Sequence, residues 1–137
     1  MITIGRYRVP KRWEKNPHRY KYLIAFCREY DDYRRMIQDI KLEYRAALSG
    51  AAAVNSSSET TPVEQKVDRI HELEKTTDLI EGSVRQAVRN RPYLYSAVLM
   101  AVTQDIPLEY IPTDVSRKTL ASYRIHTLTI IEEKLFY

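Results

Sequence analysis

Apolar side chains recur at alternating steps of three and four residues from about Pro17 to Leu48. Both steps return a side chain to the same face of an α-helix, and their alternation is the a and d spacing of helices that pack together. The pattern therefore predicts one long helix over 17–48 with an apolar seam. This seam is the predicted oligomerisation surface, formed by Leu23, Phe26, Tyr30, Tyr33, Ile37, Ile40 and Tyr44.

A polar linker at 49–61, rich in serine, separates this segment from a second apolar stripe. Thr61 is a favourable N-cap and Pro62 fits the first helical position, so a second helix is predicted to begin there and to run to about Asn90. Two long stripes joined by a flexible linker predict an antiparallel hairpin, closed either within one chain or between two chains. The second stripe consists of Val63, Val67, Ile70, Leu73, Thr77, Ile80, Val84 and Ala87.

The last third of the chain shows the order short helix, turn, longer helix. Pro92 opens a predicted helix from Tyr93 to about Thr103, and Pro112 ends a short segment that follows it. Ser116 is the predicted N-cap of the final helix, whose apolar face holds Leu120, Tyr123, Thr127, Leu128, Ile131 and Leu135. The order is that of a helix-turn-helix. The predicted fold is thus all-α, with two long helices forming a hairpin or coiled-coil-like element before a small C-terminal helix-turn-helix.

The net charge of +4 conceals an uneven distribution. Residues 1–21 carry seven Lys or Arg against one Glu, whereas 92–116 carry three acids and no base. Several separate basic regions suit an extended polyanion better than a uniformly basic surface does. The predicted domains are a basic aromatic arm over 1–16, the hairpin over 17–90 and a helix-turn-helix DNA-binding domain over 91–137.

The start of the final helix has chemistry suited to double-stranded DNA. The cap at Ser116 leaves a partly positive helix end that suits a phosphate, and basic residues follow at once. The polar face continues through His126 and Thr129. Arginines that end the second helix are predicted backbone contacts, and the arm is a predicted third contact. The predicted DNA-binding residues are Ser116, Arg117, Lys118, Thr119, Ser122, His126, Arg85, Arg89, Arg91, Arg6, Arg8, Lys11 and Arg12.

Two simpler interpretations stay open at this point. The final helix can be an ordinary amphipathic helix with a solvated polar face. The arm can be a solvated basic start, or it can pack Trp13 on the helices.

The chain resembles a known group in layout and in short motifs. Val115, Ser116, Arg117, Leu120, Tyr123 and Leu128 fall where the region-four-like helix-turn-helix of sigma factors places its turn hydrophobe, cap, first basic residue and core. Over roughly 20–135, the long helix, the Ser-rich joint, Thr-Pro and the helix with Lys66-Val67-Asp68-Arg69-Ile70 resemble phage transcriptional regulators of the RinA/ArpU type. The resemblance implies a phage-encoded regulator of late genes in a Gram-positive host, with DNA and host RNA polymerase as partners.

The chain departs from the sigma pattern just before the turn. The segment between Ile111 and Val115 is about two residues shorter, and Pro112 interrupts it. The first helix of the motif is therefore expected to shrink to a single turn. This shortening favours an alternative function, a helical protein-binding module such as a phage inhibitor or RNA-polymerase adaptor, which would grip a protein through the Tyr-rich seam.

Enzymatic chemistry is not predicted. The three histidines lie in separate segments, and none has a metal-ligand spacing with Cys27 or a carboxylate. Cys27 is interpreted as a plain small side chain, and Glu132 and Glu133 as solvated helix charges. No cofactor, metal or small-molecule substrate is expected. No apolar run approaches the roughly 20 residues that span a bilayer, and the start lacks the apolar core of a secretory signal, so a cytoplasmic location is expected.

Overall fold

A computed structural model describes residues 3–4, 7–49 and 61–137. Most of the described chain is helical, which confirms the prediction of an all-α protein. Most of the predicted Ser-rich linker, residues 50–60, lies outside the described ranges. The elements are β1 (Thr3–Ile4), β2 (Tyr7–Arg8), α1 (Pro17–Arg28), α2 (Tyr30–Ser49), α3 (Thr61–Ala87), α4 (Tyr95–Thr103) and α5 (Arg117–Phe136), with single 3-10 turns at Lys11–Trp13, Pro92–Leu94 and Leu108–Tyr110.

The chain forms two compact units. The first, here called the core unit, joins the described residues up to Tyr30 with Leu79–Tyr137, and the second, the hairpin unit, is Asp31–Asp78. The predicted domain boundary at 90/91 falls inside the core unit. The reason is that α1 packs with the C-terminal helices, and its apolar residues therefore share their core. Completely buried side chains of this core include Leu23, Cys27, Ile80, Val84, Val98, Leu120, Leu128 and Ile131.

Hydroxyl groups inside the core unit are satisfied by their own helices. Ser83 donates to the Leu79 carbonyl at 2.7 Å, and Thr127 donates to the Tyr123 carbonyl at 2.8 Å. Bonding to the carbonyl four residues earlier lets a short polar side chain occupy an apolar face without an unpaired donor. This explains why Thr127 can hold a core position of α5, as the apolar pattern predicts.

The hairpin unit consists of α2 and the N-terminal part of α3. Lys41 pairs with Glu74 at 3.9 Å, and Glu43 pairs with Lys66 at 3.3 Å, so residue numbers rise along one helix as they fall along the other. The two helices are therefore antiparallel, and the hairpin is closed within one chain. Its buried side chains include Ile37, Leu73 and Thr77.

The predicted single helix over 17–48 is instead two helices that are interrupted at Glu29. The N–H of Glu29 donates to the Phe26 carbonyl at 3.3 Å, which is the short 3-10 type of bond. Apolar residues before and after the interruption belong to different compact units. Leu23, Phe26 and Tyr30 of the predicted oligomerisation seam pack in the core unit, whereas the later seam residues, from Tyr33 to Tyr44, belong to the hairpin unit.

The predicted arm packs on the core unit. β1 and β2 pair antiparallel, with Thr3 opposite Arg8. Val9 is 5% exposed and Trp13 is 3% exposed, so both are core residues. Apolar side chains of this size stabilise a domain by about 1.5–3 kcal/mol each when they are buried, which accounts for the docking of the segment.

Candidate nucleic-acid interface

The predicted cap of the final helix is present. Helix α5 begins at Arg117, and the Ser116 hydroxyl oxygen accepts a hydrogen bond from the Thr119 N–H at 3.1 Å. The same hydroxyl donates to Thr119 Oγ1 at 3.0 Å. Only one N–H of the first turn is used by this cap, so others point outward from a partly positive helix end.

The polar face of α5 is exposed. Lys118, Ser122 and His126 follow at steps of four residues, and each is exposed. Thr129, predicted on the same face, is half-buried and donates its hydroxyl to the Ile125 carbonyl at 2.9 Å. The first three turns of α5 therefore offer side-chain donors and acceptors to a partner, and the fourth turn offers fewer.

Arg117 lies at the start of α5 beside the 3-10 turn Leu108–Tyr110. Its guanidinium is 3.7 Å from the Glu109 carboxylate, and the two side chains are 70% and 53% exposed. Ion pairs this exposed to water contribute little to stability. Arg117 can therefore leave Glu109 and pair with another anion at a low cost in free energy.

The segment that follows α3 contacts α5 at one point. The Tyr123 hydroxyl donates to Asn90 Oδ1 at 3.2 Å, and Asn90 stands between two exposed arginines, Arg89 and Arg91. The structure thus places the segment that contains Arg89 and Arg91 in contact with α5 through Tyr123. Arg85, one turn earlier, has a different setting, since its guanidinium lies 5.3 Å from the centre of the Tyr95 ring and 3.8 Å from Glu81.

The N-terminal basic residues divide into exposed and anchored ones. Arg8 and Lys11 are exposed. Arg12 instead pairs with Glu132 at 3.3 Å and keeps 47% of its side chain exposed. Arg6 lies outside the described residues. The described part of this segment is therefore not a free arm, because Trp13 and Arg12 hold it to α5.

The interpretation of Glu132 as a solvated charge is wrong. Its carboxylate is buried at 7% exposure and accepts from the Trp13 indole at 3.2 Å and from Arg19 at 3.2 Å, in addition to Arg12. Glu133 is exposed, as predicted. A sequence signal did exist, since Glu132 follows Leu128 by four residues and so borders the apolar face of α5.

Arg124 was passed over by the sequence prediction and has an anchoring role. It is half-buried, donates from Nε to the Ala101 carbonyl at 3.1 Å, and donates from Nη1 to the Tyr20 hydroxyl at 2.8 Å. Helix α5 is thereby fixed to α4 and α1 on the side that faces away from Ser122. A fixed helix is the kind of support that a binding face requires.

The predicted helix-turn-helix is not established by this arrangement. Residues 104–116 connect α4 to α5. All of them are described by the structure, and their only helical element is the 3-10 turn Leu108–Tyr110. The segment expected to form a single turn does form one turn, of 3-10 type. A second helix packed across α5 does exist, namely α4, but it is joined through a longer connection than a tight turn.

Comparison of the chain with protein-family models, with curated proteins and with solved structures finds no match. Among the described residues, no group of three or more His, Cys, Asp or Glu side chains is arranged to hold a metal ion. Within the same ranges, the helices are too short or too polar to cross a bilayer.

Proposed function

We propose that this chain is a phage-encoded DNA-binding transcriptional regulator that contacts double-stranded DNA through the N-terminal half of α5. The observation that carries the proposal is the exposed face of Lys118, Ser122 and His126, which begins at a capped helix end. The same helix contacts the segment that contains Arg89 and Arg91 through the Tyr123–Asn90 hydrogen bond. The resemblance to RinA/ArpU-type regulators adds activation of late genes in the cytoplasm of a bacterial host as its biological setting.

The physical basis of binding would be mixed. Arg89, Arg91 and Arg117 supply cations for phosphates, and each phosphate that they neutralise releases counterions from the DNA. Lys118, Ser122 and His126 are the side chains available for base edges or for further phosphate contacts. Three positions form a small reading face, so most of the affinity is expected to come from the backbone contacts.

A fluorescence anisotropy titration tests this proposal. The probe is a labelled duplex taken from upstream of the encoding gene, titrated at several salt concentrations. The double variant Arg117→Ala/Lys118→Ala should weaken binding and reduce the slope of log K against log salt by about two, because two phosphate contacts are lost.

A matched variant controls for net charge. Arg35→Ala/Lys75→Ala also removes two cations, from exposed side chains of the hairpin unit that pair only locally with Asp32 and Glu72. This variant should leave the salt slope unchanged. If both double variants weakened binding equally, binding would follow net charge and the assignment to α5 would fail.

A protein-binding module is the second candidate function. It is favoured by an aromatic patch on the core unit, where Tyr22 lies 6.5 Å from Phe26 and 5.6 Å from Phe136 between ring centres. Tyr22 is 50% exposed and Phe136 is 41% exposed. An inhibitor or polymerase adaptor would use such a patch, so retention of RNA polymerase from nuclease-treated host lysate, lost in Tyr22→Ala, would favour this function over DNA binding.

A further inference from the structure

In the distal half of the hairpin unit, the two helices bury less side-chain surface than is usual for a packed helix pair. No residue of 40–48 or of 64–70 is buried, whereas Ile37 and Leu73 are buried nearer the other end. Apolar side chains nevertheless continue into this half, and Val67 is 38% exposed. A helix pair whose facing side chains stay half exposed lacks part of the burial that stabilises amphipathic helices in water.

The two sides of the distal hairpin differ in polarity. One side has a groove of about 260 Å³ that is lined by the apolar or aromatic side chains of Tyr44, Val67 and Ile70 and by Lys41 and Arg45. The groove on the opposite side is lined by Ile40 and by charged or amide side chains, namely Glu43, Gln65, Lys66 and Arg69. The first side, here called the tyrosine groove, is therefore the apolar one.

The tyrosine groove is bordered by stripes of opposite charge. On α2, Arg34, Lys41 and Arg45 share a face because they are seven and four residues apart. The α3 stripe follows steps of three and four residues and consists of Glu64, Val67, His71, Glu74 and Asp78. Lys41, which lines the groove, pairs with Glu74 of the other helix at 3.9 Å, which places both stripes on the same side of the hairpin.

We infer that the tyrosine groove binds a second copy of this chain. Its chemistry is complementary to itself, because a two-fold axis parallel to the helices would set the basic stripe of α2 against the acidic stripe of the partner's α3. All neighbouring helices would then be antiparallel, as in a four-helix bundle. The other two-fold arrangement, with α2 on α2, would oppose Lys41 and Arg45 to their own copies, and like charges disfavour it.

This dimer uses only part of the seam that the sequence pattern predicts, since Tyr44 of that seam lines the tyrosine groove. Leu23, Phe26 and Tyr30 are occupied within the core unit, so assembly would use the hairpin alone. The inference does not depend on DNA binding, and its test needs no DNA.

Sedimentation velocity over a concentration series tests the inference. The wild-type chain is expected to be a dimer at micromolar concentration. Val67→Glu places a carboxylate in the groove and should raise the dimer Kd at least about tenfold. Met36→Glu is the matched control, because the exposed fraction of Met36, 39%, is similar to the 38% of Val67. Met36 shares a helix face with Ile40 and Glu43, which line the groove on the opposite side of the hairpin.

A charge exchange separates dimerisation from folding. Arg45→Glu should weaken the dimer without removing apolar surface, and the added change Glu64→Arg should restore it. Far-UV circular dichroism checks that each variant stays helical. A wild-type chain that is monomeric up to about 100 µM would overturn the inference. So would a dimer that Met36→Glu disrupts as strongly as Val67→Glu, or one that neither Val67→Glu nor Arg45→Glu affects.

Discussion

Glu132 is a buried acid whose partners lie 113 to 120 residues earlier in the chain. A carboxylate loses its water on burial, which is costly unless donors replace that water. Two guanidinium groups and the Trp13 indole do so here, and bonds of this kind are strengthened by charge. The carboxylate and its three donors therefore stabilise the fold only together, because removing the carboxylate leaves the donors without this acceptor.

Replacing Glu132 with Ala should lower the free energy of unfolding by about 2–4 kcal/mol. The loss is moderated because Arg12 and Arg19 are partly exposed and can turn to water. Urea denaturation followed by Trp13 fluorescence measures it. Glu133→Ala, the neighbouring exposed acid, should change the stability by less than about 0.5 kcal/mol. Equal effects of the two variants would contradict a stabilising role for the cluster.

Cys27 gives stability a dependence on alkaline pH. Burial raises the pKa of its thiol from 9.0 to about 12, although Arg124 and Arg28 act in the opposite direction. A raised pKa means that the thiol stays protonated in the folded chain while it ionises in the unfolded chain. Its contribution is complete below pH 9.0 and is lost as the pH rises toward about 12.

The expected outcome is a free energy of unfolding that falls more steeply with pH above 9.0 for the wild-type chain than for Cys27→Ala. The difference in slope should approach about 1.4 kcal/mol per pH unit, the value for one proton. Denaturation curves between pH 8 and 11 provide the measurement. Parallel slopes for the two proteins would show that the thiol is not protected in the folded state.

At the level of single helices, the cap of α5 makes a prediction about its start. Ser116→Ala removes the acceptor for the Thr119 N–H and should destabilise the chain by about 1 kcal/mol. Ser122→Ala makes the same chemical change at an exposed position inside α5, where alanine is the better helix former, and should be neutral or slightly stabilising. Thermal melting of the pair checks this, and a Ser122→Ala loss as large as that of Ser116→Ala would argue against the cap.

The helices were predictable because their signals are local. Steps of three and four residues, Pro62, Pro92 and the cap at Ser116 place α3, α4 and α5 close to their observed bounds. The interruption at Glu29 was not predictable, since the apolar spacing continues across it. At Glu29 the apolar residues change the unit in which they pack, from the core unit to the hairpin unit. The spacing of apolar residues along the sequence contains no information about which other helices they contact.

The same limit applies to the candidate interface. The exposed face of Lys118, Ser122 and His126 follows from helical periodicity once the buried face of α5 is known. The anchoring of Arg12 by Glu132 and the contact between Tyr123 and Asn90 depend on tertiary packing. Long-range pairs of this kind have no local spacing rule, so the sequence identifies such residues only as charged or aromatic.

For the molecule as a whole, the two units should differ in local stability. Helices α4 and α5 contain fully buried side chains, whereas residues 40–48 of α2 contain no buried side chain. Hydrogen exchange should therefore be slowest in α4 and α5 and faster in 40–48 by at least about two orders of magnitude at low protein concentration. Mass spectrometry of peptides from both regions measures this. Equal protection in a dilute sample would mean that the hairpin unit is stabilised by more than its own contacts.

The core unit combines Leu23 and Trp13 with helices that follow them by more than 65 residues. A ribosome makes α1 before the other helices of this core, so the core around its apolar face stays incomplete until α4 and α5 have emerged from the exit tunnel. At a typical rate of about 5–20 residues per second, that interval lasts several seconds. During this time the nascent chain exposes the surface that chaperones bind, and a chain released before α5 would keep it exposed. Correct folding of the core unit thus requires that α5 has been synthesised.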